Sequence, residues 1–151
     1  MRFSKLSEDK CDLIFRALFC SIFLGLGMEH IFSDDLIQHL MPPWVPEKRL
    51  VSLFCGAVLM TGGLSILLGY KLKWGATILA VFLIVITVPV HGVGVFNYPP
   101  GLADNSKWIW DILQRTNLVK NLCLLGVCFR FFYYKPGKFS LEAYCSWKNS
   151  Q

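Results

Sequence analysis

The residues best equipped for chemistry in this chain sit at the ends of long apolar runs. Glu29 and His30 close the first run, His91 stands near the end of the third, and Asn117, Lys120 and Asn121 lead into a fourth. Ionisable and amide groups are costly in hydrocarbon, so they turn toward partners or wetted cavities. Runs that cross a membrane in alternate directions bring these six residues into one layer, within about two helical turns of one surface. Glu29 and Lys120 are a natural ion pair there. His30 and His91 titrate near neutrality and can pass protons. Such a pocket suits the polar head of a lipid-soluble molecule, a quinone ring being one example. The competing expectation is structural: a network that fixes helix register, with Lys120 snorkelling and Glu29 hydrated. His39 and the loop carrying Pro43, Trp44 and Pro46 are placed to cap the layer.

Other chemistries find less support. The histidines and Glu29 match no short metal-ligand spacing. No phosphate-binding loop, dinucleotide fingerprint or nucleophile elbow is present, so electrons in a redox step would have to come from a ligand or a partner. The six cysteines form no CxxC pair. Cys20, Cys55, Cys123 and Cys128 lie inside apolar runs, where a thiol acts as a small hydrophobe. Net charge is +5. The Lys and Arg residues flank the apolar runs, which is a topology signal rather than a nucleic-acid footprint.

Membrane helices are the elements that must hold these residues. Hydrophobic residues make up 54% of the 151-residue chain and charged ones 17%, against about 25% charged in an ordinary soluble domain. Mean hydropathy is +0.49. Spans are expected at about 12–32, 50–70, 74–96 and 116–134, within one integral membrane domain over residues 1–151. Each is close to the ~20 residues that cross a ~30 Å hydrocarbon core. The first is too long for a signal-peptide core and lacks a small-residue cleavage pattern after it. Gly56, Gly62, Gly63 and Gly69 favour close helix contact in the second. The short turn through Lys71 and Lys73 forces the second and third spans to be antiparallel neighbours. Pro89 predicts a kink just before His91. Trp108 to Leu113 predicts an interfacial segment. The fourth span is continuously apolar only from Leu122 to Phe129 and reaches spanning length by extension in both directions. The expected fold class is all-α, a transmembrane four-helix bundle.

Arg16 and Arg130 fall in the opposite layer and read as boundary anchors. That side also carries Arg2, Lys5, Lys10, Lys71, Lys73, Lys135, Lys138 and Lys148. On the other side Lys48, Arg49, Lys107 and Arg115 are offset by Asp34, Asp35, Glu47, Asp104 and Asp111. The positive-inside rule therefore predicts a multi-pass cell-membrane protein with both termini in the cytoplasm.

Several of these features occur together in one family. Arg16, the Gly27-Met28-Glu29-His30 stretch, the run Met41-Pro42-Pro43-Trp44-Val45-Pro46, the glycine-rich second span, His91, and Lys120-Asn121-Leu122 with Gly126 give a sequence that resembles the DoxX and DoxX-like small membrane proteins. The likeness runs from about Leu13 to Phe129. It implies a four-helix bundle, and for some relatives a link to sulfur-compound oxidation with quinone, or to membrane redox complexes. Its recurring positions fall on Arg16, His30, Pro43, Trp44, Pro46, His91, Lys120 and Asn121.

Two roles stay open. One is an accessory or quinone-linked component of a membrane redox process, with catalysis undecided. The other is a non-enzymatic assembly or interaction protein that binds other membrane subunits or itself. A small channel or carrier is a third and weaker reading, because four helices are few for alternating access. The partners expected are membrane lipids and such subunits, and not nucleic acid.

Overall fold

Backbone polar groups in hydrocarbon must be satisfied within the segment, and this chain meets that demand with helices. A computed structural model describes residues 7–150, excepting the side chain of Leu36. Among these residues there are six α-helices and no strand: α1 (Glu8–Phe32), α2 (Asp35–Leu40), α3 (Lys48–Leu67), α4 (Leu72–Ile86), α5 (Lys107–Phe131) and α6 (Leu141–Lys148). A π-helical turn, Thr87–Gly92, continues α4, and a 3-10 turn, Asp104–Ser106, leads into α5.

Three segments are long and apolar enough to cross a membrane: Glu8–Phe32, Lys48–Leu67 and Leu72–Gly92. Only 28%, 39% and 33% of their most apolar windows are buried inside the protein. Leu18, Phe54 and Val88 point outward, at 70%, 69% and 64% exposure. Apolar surface on this scale is stable against lipid and not against water.

The expected transmembrane four-helix bundle is therefore corrected. Among the described residues there are six α-helices and three candidate spans. The stretch expected to cross at 116–134 belongs to α5, which begins at Lys107 and ends at Phe131. The reason is its charge, together with the amides Gln114, Asn117 and Asn121. Lys107, Asp111, Arg115, Lys120 and Arg130 all lie on α5, and lengthening the apolar core of Leu122–Phe129 to spanning length takes in several of them. The expected interfacial segment around Trp108 forms the first turns of this same helix.

Neighbours along the chain pack against each other: α1 on α3, α3 on α4, and α4 with its π-turn on α5. The pairs are antiparallel. Glycine permits the closest approaches. A Cβ on Gly56 would lie 3.0 Å from the Gly27 carbonyl oxygen, and one on Gly62 would lie 3.3 Å from that of Gly75. The turn between α3 and α4 needs left-handed backbone at Gly69 (φ 64°) and Lys71 (φ 51°). Phe19, Phe23, Leu59, Ile66, Leu79 and Phe131 fill the core. Ring contacts of Phe131 with Phe15 (5.6 Å) and Phe19 (5.2 Å) join α5 to α1 at the end away from His30.

Candidate functional site

Helix register decides which of the candidate polar residues meet. They separate into two groups at the end of the bundle that holds His30. In the first group His30 Nδ1 lies 3.0 Å from Ser52 Oγ. That hydroxyl donates to the His30 carbonyl at 3.2 Å. Ser52 thus accepts from the Nδ1–H of His30. Beside them Arg49 pairs with Asp34 and donates to the Ile31 carbonyl at 3.1 Å. The Arg49 guanidinium holds the Asp34 carboxyl below the usual carboxylate range. Asp34 is buried, and its Oδ2 has no hydrogen-bond partner among the described residues.

The second group joins the π-turn to α5. Asn121 donates to the Thr87 hydroxyl at 3.0 Å. His91 Nδ1 donates to Gln114 Oε1 at 2.8 Å. The Trp110 indole donates to the carbonyls of Gly94 (2.9 Å) and Asn97 (3.1 Å). Pro89 cannot donate a backbone hydrogen bond, and the wider turn around it carries His91 toward Gln114. Lys120 donates to Asn117 within α5 at 2.7 Å. Glu29 is exposed, and no Glu29–Lys120 ion pair forms among the described residues.

Above the π-turn lies a cleft of about 460 Å³. His39, Pro43, Trp44, Pro89, Tyr98 and Trp110 are among its walls, and neither His30 nor His91 lines it. Pro46 lies in the same loop but not on the wall. Lys48 donates to the carbonyls of Gln38 (3.0 Å) and Met41 (3.3 Å), which holds α2 and the proline loop against α3. The His39 ring bonds its own helix, 2.6 Å from the Asp35 carbonyl.

The two arginines of the opposite end differ. Arg130 is exposed and lies over the Tyr134 ring, 5.9 Å from its centroid. Arg16 is fully buried. Its guanidinium bonds Asp12 (3.0 Å), the Phe139 carbonyl (2.7 Å) and the carbonyls of Ile66 and Leu67. Asp12 also accepts from Gly137 N–H (3.0 Å) and from the Tyr134 hydroxyl. Burial, with the Asp12 carboxylate beside it, pushes the Tyr134 phenol up to about 12.

Ser52, Thr87, Trp110 and Gln114 were not singled out from the sequence. A signal for them exists. Trp110, Gln114 and Asn121 are spaced by four and seven, one face of a helix, and Thr87, His91 and Gly94 are spaced by four and three. Among the described residues no three His, Cys, Asp or Glu side chains gather in a way that could hold a metal ion.

A family model described as DoxX matches residues 11–92, from the first turn of α1 to the last residue of the π-turn. The match covers more than half of the chain, which belongs to the DoxX family. It ends before α5, so Lys120 and Asn121 lie beyond it. No curated protein and no solved structure matches the chain.

Proposed function

We propose that this multi-pass DoxX-family protein is an accessory component of a membrane redox process that holds the ring of a quinone in its outer cleft. The observation that carries this reading is the cleft wall. Trp44, Tyr98 and Trp110 offer aromatic faces, Pro43 and Pro89 offer rigid apolar ones, and the volume of about 460 Å³ falls within the ~300–1,000 Å³ of small-molecule sites. A planar, weakly polar ring suits such walls. Lys48 and Asn97, which line the cleft and each keep one N–H beyond those given to backbone carbonyls, are the candidate donors to its carbonyl oxygens. His30 and His91, each committed through Nδ1 to Ser52 or Gln114, set the helix register beneath. Electrons would pass between the quinone and a partner protein.

Titration of the purified protein in detergent with short-chain ubiquinone and menaquinone analogues, followed by tryptophan quenching, tests this. Trp44 is 66% exposed, so Trp44→Ala should leave the fold intact and weaken binding about ten-fold. Absence of saturable quenching, or unchanged binding in Trp44→Ala, would rule the reading out.

A second reading is assembly. Gly25 on α1 and Gly126 on α5 face outward, with nothing within 4 Å of an added Cβ, so another helix can approach closely at either place. Stoichiometric co-purification with membrane subunits, lost in Gly25→Leu, would favour it. The charge bias orients the protein in either case. The end with Lys10, Lys71, Lys73, Arg130 and Lys135 faces the cytoplasm by the positive-inside rule. Tyr134 and Gly137 meet Asp12 at that end, so α5 returns the chain to the side on which α1 begins. Arg2 and Lys5, which add to the same bias, are outside the described residues.

A further inference from the structure

Among the described residues, helix α6 is buried against no other element. It spans eight residues, Leu141–Lys148, and none of them is buried. Isolated helices shorter than ~12–15 residues are marginal in water. Its attachment is confined to its first turn. Leu141 N–H donates to the Leu68 carbonyl (2.9 Å) and Glu142 N–H to the Gly69 carbonyl (3.3 Å). Ser140 caps the helix, accepting from Ala143 N–H at 3.2 Å.

Those two bonds fix where α6 starts. Leu68 and Gly69 form the turn between α3 and α4, where two spanning segments leave the membrane. Helix α6 therefore begins at the level of the lipid headgroups. Leu141, Tyr144 and Trp147 are exposed. The Tyr144 and Trp147 rings lie together, 6.2 Å apart. Aromatic side chains of this kind settle in the headgroup region.

The surroundings are basic. Lys71, Lys73, Arg130, Lys135 and Lys148 stand at this end, and none forms an ion pair with a described carboxylate. Lys71 sits over the Tyr70 ring, 5.5 Å from its centroid. Lys138 is already matched by Asp9 at 3.0 Å, and Arg16 by Asp12. Glu8 and Glu142 remain as exposed acids. Positive charge is in excess at the depth where phosphate is found.

We propose that α6 lies in the plane of the bilayer surface and, with Lys71, Lys73 and Lys148, forms a platform that binds anionic phospholipid headgroups of the membrane the protein spans. Tyr144 and Trp147 enter the headgroup boundary, and the lysines meet the phosphates. The platform is independent of the quinone reading, because it lies at the other end of the molecule.

The test uses the full chain, purified and delipidated in a neutral detergent. Phosphatidylglycerol and phosphatidylcholine are titrated in separate arms, with soluble glycerol phosphate as a third, and thermal stability and native mass spectra are read. Phosphatidylglycerol should bind and stabilise more than phosphatidylcholine, and 0.5 M salt should reduce the difference, salt and lipid being chosen on the order of the screening these contacts undergo. Each lysine changed to Gln should weaken phosphatidylglycerol binding about five-fold. In nanodiscs, brominated lipid should quench Trp147, read as the difference between the protein and Trp147→Phe. Equal response to the two lipids, an equal effect of glycerol phosphate, an unchanged affinity in the triple Lys→Gln variant, or no quenching of Trp147 would each overturn the proposal.

Discussion

Replacing Arg16 with Met tests whether the guanidinium is an internal tie or a membrane-boundary anchor. The side chain has no exposed surface and bonds four groups: Asp12, the Ile66 and Leu67 carbonyls, and the Phe139 carbonyl. Not all of these are orphaned by the change. Asp12 keeps Gly137 N–H and the Tyr134 hydroxyl, and Ile66 O keeps Gly69 N–H at 3.0 Å. The Leu67 and Phe139 carbonyls lose their donor, and Asp12 loses its buried counter-charge. Breaking a buried ion pair from one side costs about 3–5 kcal/mol. The bonds that Asp12 retains argue for the lower end, about 3 kcal/mol. A boundary anchor whose charge reaches water would lose about 1 kcal/mol or less. Reversible unfolding in mixed micelles separates the two values. Limited trypsin cleavage adds an independent reading, because Arg16 ties the segment at Phe139 and its loss should speed cutting after Lys138. A loss under about 1 kcal/mol with unchanged cleavage would refute the internal tie.

Gly56→Ala should destabilise by about 1–3 kcal/mol, because its Cβ would meet Ile31 Cγ1 at 2.8 Å and the Gly27 carbonyl at 3.0 Å. Gly25→Ala, which opens into free space, should cost nothing, and equal effects in an unfolding titration would dismiss the α1–α3 close approach. Gln114→Ala removes the acceptor of His91 and should cost about 1–3 kcal/mol, whereas Asn117→Ala, which frees only Lys120, should cost less in the same assay. Asp34 supplies a pH dependence. Its folded pKa lies below the unfolded value, so its contribution is complete above about pH 4 and is lost as pH falls through the folded pKa. Thermal unfolding from pH 6 to pH 3 should show this drop, and Asp34→Asn should remove it; an unaltered profile would mean that the Arg49 pair does not form.

The sequence carried the medium, the three long apolar helices and the packing of Gly56 and Gly62, because hydropathy and small-residue spacing are local signals, whereas α2 and α6 are too short to leave such a signal. Three spans were legible for the same reason. The fourth misleads because its continuous apolar core runs only over Leu122–Phe129, and Lys120 and Arg130, which suit a snorkelling lysine and a boundary anchor, stand on either side of it. The place of His30 and His91 near the ends of their helices was legible, but their partners were not. Partner choice depends on how two helices rotate against each other, and a single run does not contain that rotation. Arg16 shows the same limit. Its position one turn into α1 suggests a headgroup contact, and only the return of the chain through Tyr134, Gly137 and Phe139 closes water off from it.

The extent of the family match gives α5 a specific physical role. The matched segment, residues 11–92, brings the Thr87 hydroxyl and the His91 imidazole to membrane depth. Their partners, Asn121 and Gln114, come from outside it. Left alone in hydrocarbon, each polar group would cost several kcal/mol. The π-turn around Pro89 sharpens the demand, since a proline there removes a backbone donor from a segment that has no water to replace it. Helix α5 answers with three side chains along one face, Asn121 on Thr87, Gln114 on His91 and Trp110 on the Gly94 carbonyl. A helix that serves such groups cannot be uniformly apolar. The polar residues that keep α5 out of the set of candidate spans are thus partly the same ones that make the three spans stable together.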